Sequence, residues 1–211
     1  MRRVFGLLRL VLSVGGITAL VGDFDYTLGF PTFVISNFFS YFTVQSAFAG
    51  VLVFAMGAAV AFDRIVDPGW FDAVRAVVTT YIVISGIIFA LIVAQSSSRD
   101  YRIDVPWSSQ LLHFWIPAVA LLDWFLAPGT RRLSWRTCIA SLVFPVVWGT
   151  FTLIRGGFVG WYPYFFFDPR QVTGWETAIY CVISLAIIVA VASGLVISTR
   201  VPRVWRLKGG G

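Results

Sequence analysis

Few residues in this chain could do chemistry, and they sit in apolar company. The stretch SNFFSYFTVQS, Ser36 to Ser46, sets hydroxyls among phenylalanines. Ser36, Ser40 and Thr43 stand at i, i+4 and i+7, so on a continuous helix they share one face, and Ser46 follows three residues later. The other candidate is His113, the only histidine. A hydroxyl within hydrogen-bond reach of an imidazole is the minimal activated nucleophile: the ring takes the proton and the oxygen attacks an acyl carbon. Imidazole suits this because its unperturbed pKa lies close to neutrality. Other chemistries find no residues. Lys208 is the only lysine and lies in the tail, so a retinal-type Schiff base inside the bundle is excluded, and a single histidine excludes bis-histidine haem. No cluster has the ligand spacing of a zinc site, and neither a Gly-rich phosphate loop nor G-x-S-x-G occurs. Neither metal nor organic cofactor is expected.

The elements that position these residues follow from hydropathy. The chain has 211 residues, 58% hydrophobic and 12% charged, with a mean hydropathy of +0.84. Such a composition belongs to a polytopic membrane protein. Backbone polar groups in a bilayer must be paired internally, and apolar runs of about 20 residues are too long for barrel strands, so the spans are helices. The hydropathy predicts one domain over 1–211, an all-α bundle of six spans at about 4–22, 38–62, 73–94, 108–127, 134–155 and 174–198. The MRR start lacks a following cleavage site, so the first span is read as retained.

Basic residues orient the bundle. Arg2, Arg3, Arg9, Arg64, Arg75, Arg131, Arg132, Arg136, Arg200, Arg203, Arg206 and Lys208 fall on one side, against Arg99, Arg102, Arg155 and Arg170 on the other. Both termini are therefore expected in the cytoplasm, in a multi-pass protein of the cell membrane. The net charge of +6 arises from this asymmetry and points to anionic lipid headgroups. It does not point to nucleic acid, because the basic residues are scattered over loops. Cys138 and Cys181 fall in opposite leaflets and are not expected to pair.

Spans two and four both enter from the outer side, and Thr43 and His113 each lie about five residues in, roughly 8 Å. Similar depth in the outer leaflet makes a Thr43–His113 pair geometrically accessible. Structural readings stand beside this one. Threonine in a membrane helix commonly bonds the carbonyl one turn back or a neighbouring helix. His113 could be satisfied by Ser109, or by a carbonyl that Pro117 frees. Asp123, ten residues past His113, lies about 15 Å deeper, and is expected to pair with Arg131, Arg132 or Arg136. Asp100, Asp104 and Asp168 are better placed to orient the imidazole. Arg155, at the outer end of span five, could hold a lipid carboxylate or phosphate, or simply snorkel. The outer segments GDFDYTLGFPTFVISN and RGGFVGWYPYFFFDPRQVTG are aromatic and broken by Gly and Pro. They read either as an interfacial aromatic belt or as a lid over an outward-facing cavity.

FFSYFTVQS, LLHFWIPAVALLDW and GWYPYFFFD, in that order, resemble the androgen-induced integral membrane hydrolase family over roughly residues 5–195. The resemblance implies a multi-pass hydrolase of fatty acid esters of hydroxy fatty acids, with Thr43 in the place of the nucleophile and His113 in the place of the histidine. Asp123 matches the acidic residue after the histidine, and Tyr162, Pro163 and Asp168 match the aromatic-proline-acidic stretch. Ser46 and Ala47 stand where members often carry an asparagine.

The expected function is a lipid ester hydrolase that needs no metal or cofactor. Ser40 and Ser46 would neighbour the nucleophile in the cavity. Phe39, Phe42, Trp115 and Trp161 would hold acyl chains, with Arg155, Tyr162 and Asp168 also contacting substrate. The alternatives are a non-enzymatic binder or transporter of a lipid or small solute, in which His113 would be a protonation switch, and a structural membrane protein with helix-packing hydroxyls.

Overall fold

The computed structural model describes residues 1–64, 66–97 and 104–201. Its helices are α1 (Arg2–Leu28), the short α2 (Ile35–Phe38), α3 (Phe42–Asp63), α4 (Gly69–Ser97), the short α5 (Trp107–Gln110), α6 (Ile116–Leu126), α7 (Arg136–Val159) and α8 (Gly174–Ser198). A π-helical turn, Leu111–Trp115, joins α5 to α6, and a 3₁₀ turn, Phe165–Phe167, lies between α7 and α8. Six helices, with α5, the π turn and α6 counted as one, are long and apolar enough to cross a membrane. Over the described residues the chain is all-helical, and by these six helices it is a membrane protein.

The ends of the helices follow local chemistry. Thr173 and Glu176 form a reciprocal capping box at the start of α8. Gly160, in the left-handed region at φ 66°, stops α7. The second expected span departs from a single helix. Tyr41 is extended, with ψ 135°, and separates α2 from α3. The Ser36–Ser40–Thr43–Ser46 stripe is therefore not one helical face. Ser36 lies on α2, Ser40 in the turn with its hydroxyl donating back to the Ser36 carbonyl at 2.6 Å, and only Thr43 and Ser46 lie on α3. The Trp148 indole N–H donates to the Ser40 carbonyl at 3.0 Å and holds this turn against α7.

Apolar lipid gives helices little hydrophobic reason to associate, so close packing and internal polar contacts must hold them. At one end of the bundle this takes the form of an ion cluster. Arg9 of α1 donates to both carboxylate oxygens of Asp123 of α6 at 2.9 and 3.1 Å. Arg75 of α4 reaches Asp123 at 2.9 Å and Asp67 at 2.7 Å, and Arg2 reaches Asp67 at 2.6 Å. Asp72, in the first turn of α4, accepts from Arg75 and from the Arg131 backbone N–H. Arg9, Arg75, Asp67, Asp72 and Asp123 are all buried. Asp123 is thus paired with Arg9 and Arg75 rather than with the side chains of Arg131, Arg132 or Arg136. Its real partners are distant in sequence, and the charges sit inside the bundle instead of flanking it.

The opposite end holds the aromatic segments. Residues 161–168 fold down between α4, α7 and α8, with Phe166 and Phe167 buried against Trp148 and Ile188. Tyr162 lies so tightly on Gly156 of α7 that a Cβ there would collide with the ring.

Candidate active site

Three helices and one loop converge on a hydroxyl pair and the histidine. Thr43 is the second residue of α3. Ser85 lies mid-way along α4, and its hydroxyl donates to Thr43 Oγ1 at 2.8 Å. The same Ser85 oxygen lies 3.5 Å from His113 Nδ1. His113 and Ser85 are buried and Thr43 is half-buried. Thr43 and His113 are therefore brought into one polar line, with Ser85 between them.

Local sequence explains how His113 gets there. Pro117 has no N–H, so the carbonyl of His113 loses its ordinary partner one turn on, and the chain takes a π turn over Leu111–Trp115. That carbonyl presses on Gly86, where any Cβ would overlap the oxygen. Gly86 thus lets α4 approach the π turn, and its neighbour Ser85 meets the imidazole as a consequence. Phe89, one turn along α4, stacks on the imidazole at 3.8 Å and 6° and fixes the ring plane. The freed carbonyl packs against Gly86 and does not bond the imidazole. Ser109 is also not its partner: Ser109 donates to Asp23 at 2.7 Å, beside Ser108 at 3.3 Å.

Ser85 borders two cavities. One, of about 10 Å³, has Thr43, Ser46 and Ser85 on its wall, among apolar residues of α1, α3, α4, the π turn and α6. It has the size of one water molecule, with hydroxyls to bond it. The other, of about 230 Å³, lies among α4, α7, α8 and the 3₁₀ turn and is lined by Phe42, Trp148, Tyr164, Phe166 and Ile188 among others. Tyr164 sits in the loop with its phenol beside the Thr43 side chain and the Phe42 and Thr43 backbone at the start of α3. The first N–H groups of a helix have no intrahelical partner, and the N-cap residue Tyr41 offers them no side-chain acceptor, so a phenol oxygen fits there. Burial pushes the Tyr164 phenol up to about 12, so it keeps its proton at neutral pH.

The remaining expected residues are dispersed. Ser46 lines the small cavity and Phe42 the large one. Ser40 lines neither and is used in the turn. Phe39 and Trp115 are exposed on the outside of the bundle, at 44% and 62%. Trp161 packs edge-on to Tyr41 at 5.6 Å, and the Arg155 guanidinium sits over its ring. Arg155 also donates to Asn37 at 2.8 Å and to Ser36 at 3.3 Å, tying α7 to α2. Asp168 is held by Arg170 at 2.7 and 2.8 Å and by Gln171 at 3.1 Å, which keeps its carboxyl well below the usual range. It therefore orders its own loop and does not orient the imidazole. Asp104 accepts from Tyr26 at 3.0 Å. Asp100 lies outside the described residues.

Of the loop, Tyr164, Phe166 and Phe167 line the large cavity, while Trp161 and Tyr162 line neither cavity, and neither does His113. Sequence reading also missed Ser85. Its only signal was a Ser-Gly pair inside an otherwise apolar helix, in TTYIVISGIIFA. Among the described residues, no group of three or more His, Cys, Asp and Glu could hold a metal ion. Comparison with family models, with curated proteins and with solved structures finds no match to this chain.

Proposed function

We propose that this chain is an integral membrane hydrolase of lipid acyl esters, with Thr43 as nucleophile and His113 as general base. The observation that carries the reading is the Thr43–Ser85–His113 line, whose middle member Ser85 lines an apolar cavity. The resemblance of FFSYFTVQS and LLHFWIPAVALLDW to the androgen-induced hydrolases supports the same two roles and extends the substrate class to fatty acid esters of hydroxy fatty acids.

In the reaction, Thr43 Oγ1 attacks the ester carbonyl. Its proton passes to Ser85, whose own proton passes to His113 Nδ1. Hydroxyl hydrogens rotate freely, so the resting donation from Ser85 to Thr43 reverses without moving a heavy atom. The neutral Tyr164 phenol donates to the oxyanion, a role that is stabilising because the donor is already in place. The tetrahedral intermediate collapses, the alkoxide leaves with the proton returned through Ser85, and Thr43 is left acylated. A water beside Thr43, Ser46 and Ser85 then attacks the acyl carbon, its proton passing through Ser85 to His113 and back to Thr43 Oγ1 as the bond to Thr43 breaks and the fatty acid leaves. Thr43→Ala and His113→Ala should each abolish hydrolysis in folded protein. Wild-type rates in Thr43→Ala would remove the nucleophile assignment. Absence of hydrolysis of any long-chain ester by the wild type would favour a lipid binder or transporter.

The arginine asymmetry supports a cell-membrane location with both termini cytoplasmic and the site in the outer leaflet. A reporter fused in the loop near Arg131 should then read cytoplasm. A periplasmic signal there would move the site to the other leaflet.

A further inference from the structure

We infer that the cavity among α4, α7 and α8 is an acyl-chain site of limited length, filled sideways from the hydrocarbon layer between α7 and α8. The inference rests on the ester-hydrolase reading and names the part of the substrate that the cavity takes. Three observations carry it.

The first is the chemistry of the wall. Among the lining residues none is charged, and the polar ones gather as Ser85 and Tyr164 beside Thr43, with Thr150, Cys181 and Ser184 on α7 and α8. A carboxylate inside would be buried without a partner, at high cost. An ester carbonyl needs only one donor, which the Tyr164 phenol can supply. The cavity therefore takes the uncharged acyl chain and ester linkage rather than the free acid that hydrolysis makes, with the carboxylate of a hydroxy fatty acid part left outside it, and product is rejected once its charge forms.

The second is the opening. Val146, Thr150 and Leu153 line the cavity and are also exposed on the outside of α7, at i, i+4 and i+7. Cys181, Ser184, Leu185 and Ile188 form the facing edge on α8. The mouth is thus on the side of the bundle, where a membrane span meets lipid tails. Pro145, in the same wall, removes one rung of the α7 hydrogen-bond ladder at this point.

The third is size. An apolar cavity of about 150 Å³ takes benzene, a six-carbon ligand. Scaling to about 230 Å³ gives room for about nine carbons. Longer chains must leave part of their length in the mouth.

Gly149 provides the test. It lines the cavity, and a Cβ there would meet only Phe167 at 3.9 Å, ordinary contact. Gly149→Leu therefore adds bulk to the cavity wall at a position whose Cβ meets Phe167 and none of Thr43, Ser85, His113 and Tyr164, and replacing a helical glycine does not cost helix propensity. Purified wild type, Gly149→Ala and Gly149→Leu are compared on p-nitrophenyl acetate and p-nitrophenyl octanoate. The expected result is a loss of tenfold or more in kcat/KM for octanoate in Gly149→Leu, with acetate hardly changed and Gly149→Ala close to wild type. Equal losses on both esters, or none, would overturn the inference while leaving the hydrolase reading intact. A turnover-free readout separates the two ideas: N-methyloctanamide should raise the unfolding midpoint of the wild type and not of Gly149→Leu. If neither ester is hydrolysed by the wild type but the amide still discriminates the variants, the cavity stands and the hydrolase reading falls. If the amide shifts both equally, the cavity assignment falls. Should Gly149→Leu fail to fold, Ser184→Leu narrows the same cavity from α8 and is read in the same way.

Discussion

The hydroxyls of Thr43 and Ser85 lie 2.8 Å apart although one begins α3 and the other sits in the middle of α4. The α4 helix continues about 18 Å beyond Ser85. The α3 helix starts level with it because Tyr41 breaks the chain one residue earlier. Non-helical backbone at membrane depth is tolerated where protein covers it. Here the cover is α2 and the 161–168 loop, so the break that spoils the expected serine stripe is also what leaves room for a site.

The bridging position of Ser85 predicts that Ser85→Ala lowers hydrolysis by roughly 10²-fold, the lower end of what a positioned proton acceptor contributes. Thr43→Ser should retain partial activity, and Thr43→Ala combined with Ser85→Ala should be little worse than Thr43→Ala alone, since the two act as a unit. Gly86→Ala should lose activity through displacement of the His113 carbonyl, together with a lower unfolding midpoint. Steady-state kinetics and thermal unfolding on the same preparations check both. Full activity in Ser85→Ala would show that His113 reaches Thr43 without the relay.

Tyr164→Phe removes the phenol but keeps the ring in the lid cluster. Loss of one oxyanion donor typically costs 10²–10³-fold in kcat, with KM little changed. The fold raises the phenol pKa above its usual value of about 10, so its preference for the neutral form is fully present below that pH. The preference is lost as pH rises toward about 12. A rate profile for the wild type should accordingly show no phenol ionisation between pH 7 and 10. A Tyr164→Phe enzyme with unchanged kcat would leave the oxyanion to other donors.

Asp123 predicts the opposite pattern, stability without catalysis. It is buried between Arg9 and Arg75, and removing one partner of a buried pair costs about 3–5 kcal/mol. Asp123→Asn should lower the yield and unfolding midpoint, while the surviving protein keeps its specific activity. Replacing Arg9 and Asp123 together by apolar residues should recover part of the loss. A folded, stable Asp123→Asn that no longer hydrolyses esters would contradict the assignment.

The six spans were legible because each is a long run of apolar residues; His113 stood out as the only histidine, and Thr43 through its matched depth and the resemblance carried by FFSYFTVQS. The aromatic loop over the site was legible as a segment but not by residue, since Trp161, Tyr162 and Tyr164 differ only in how the chain turns between them. The break at Tyr41 was hidden, as neither Pro nor Gly lies near it. Ser85 was hidden for another reason: its role depends on Gly86 admitting the carbonyl of His113 from a helix far along the chain. The pairing of Asp123 with Arg9 spans 114 residues, and no local pattern encodes it.

The most direct test is the site of covalent capture by an alkyl fluorophosphonate, mapped by mass spectrometry in the wild type and in His113→Ala. The phosphonyl group should be found on Thr43 in the wild type and be lost, or slowed by at least roughly 10²-fold, in His113→Ala. An adduct on Ser85 would contradict Thr43 as nucleophile, and labelling that is absent, or indifferent to His113, would contradict the activated hydroxyl altogether.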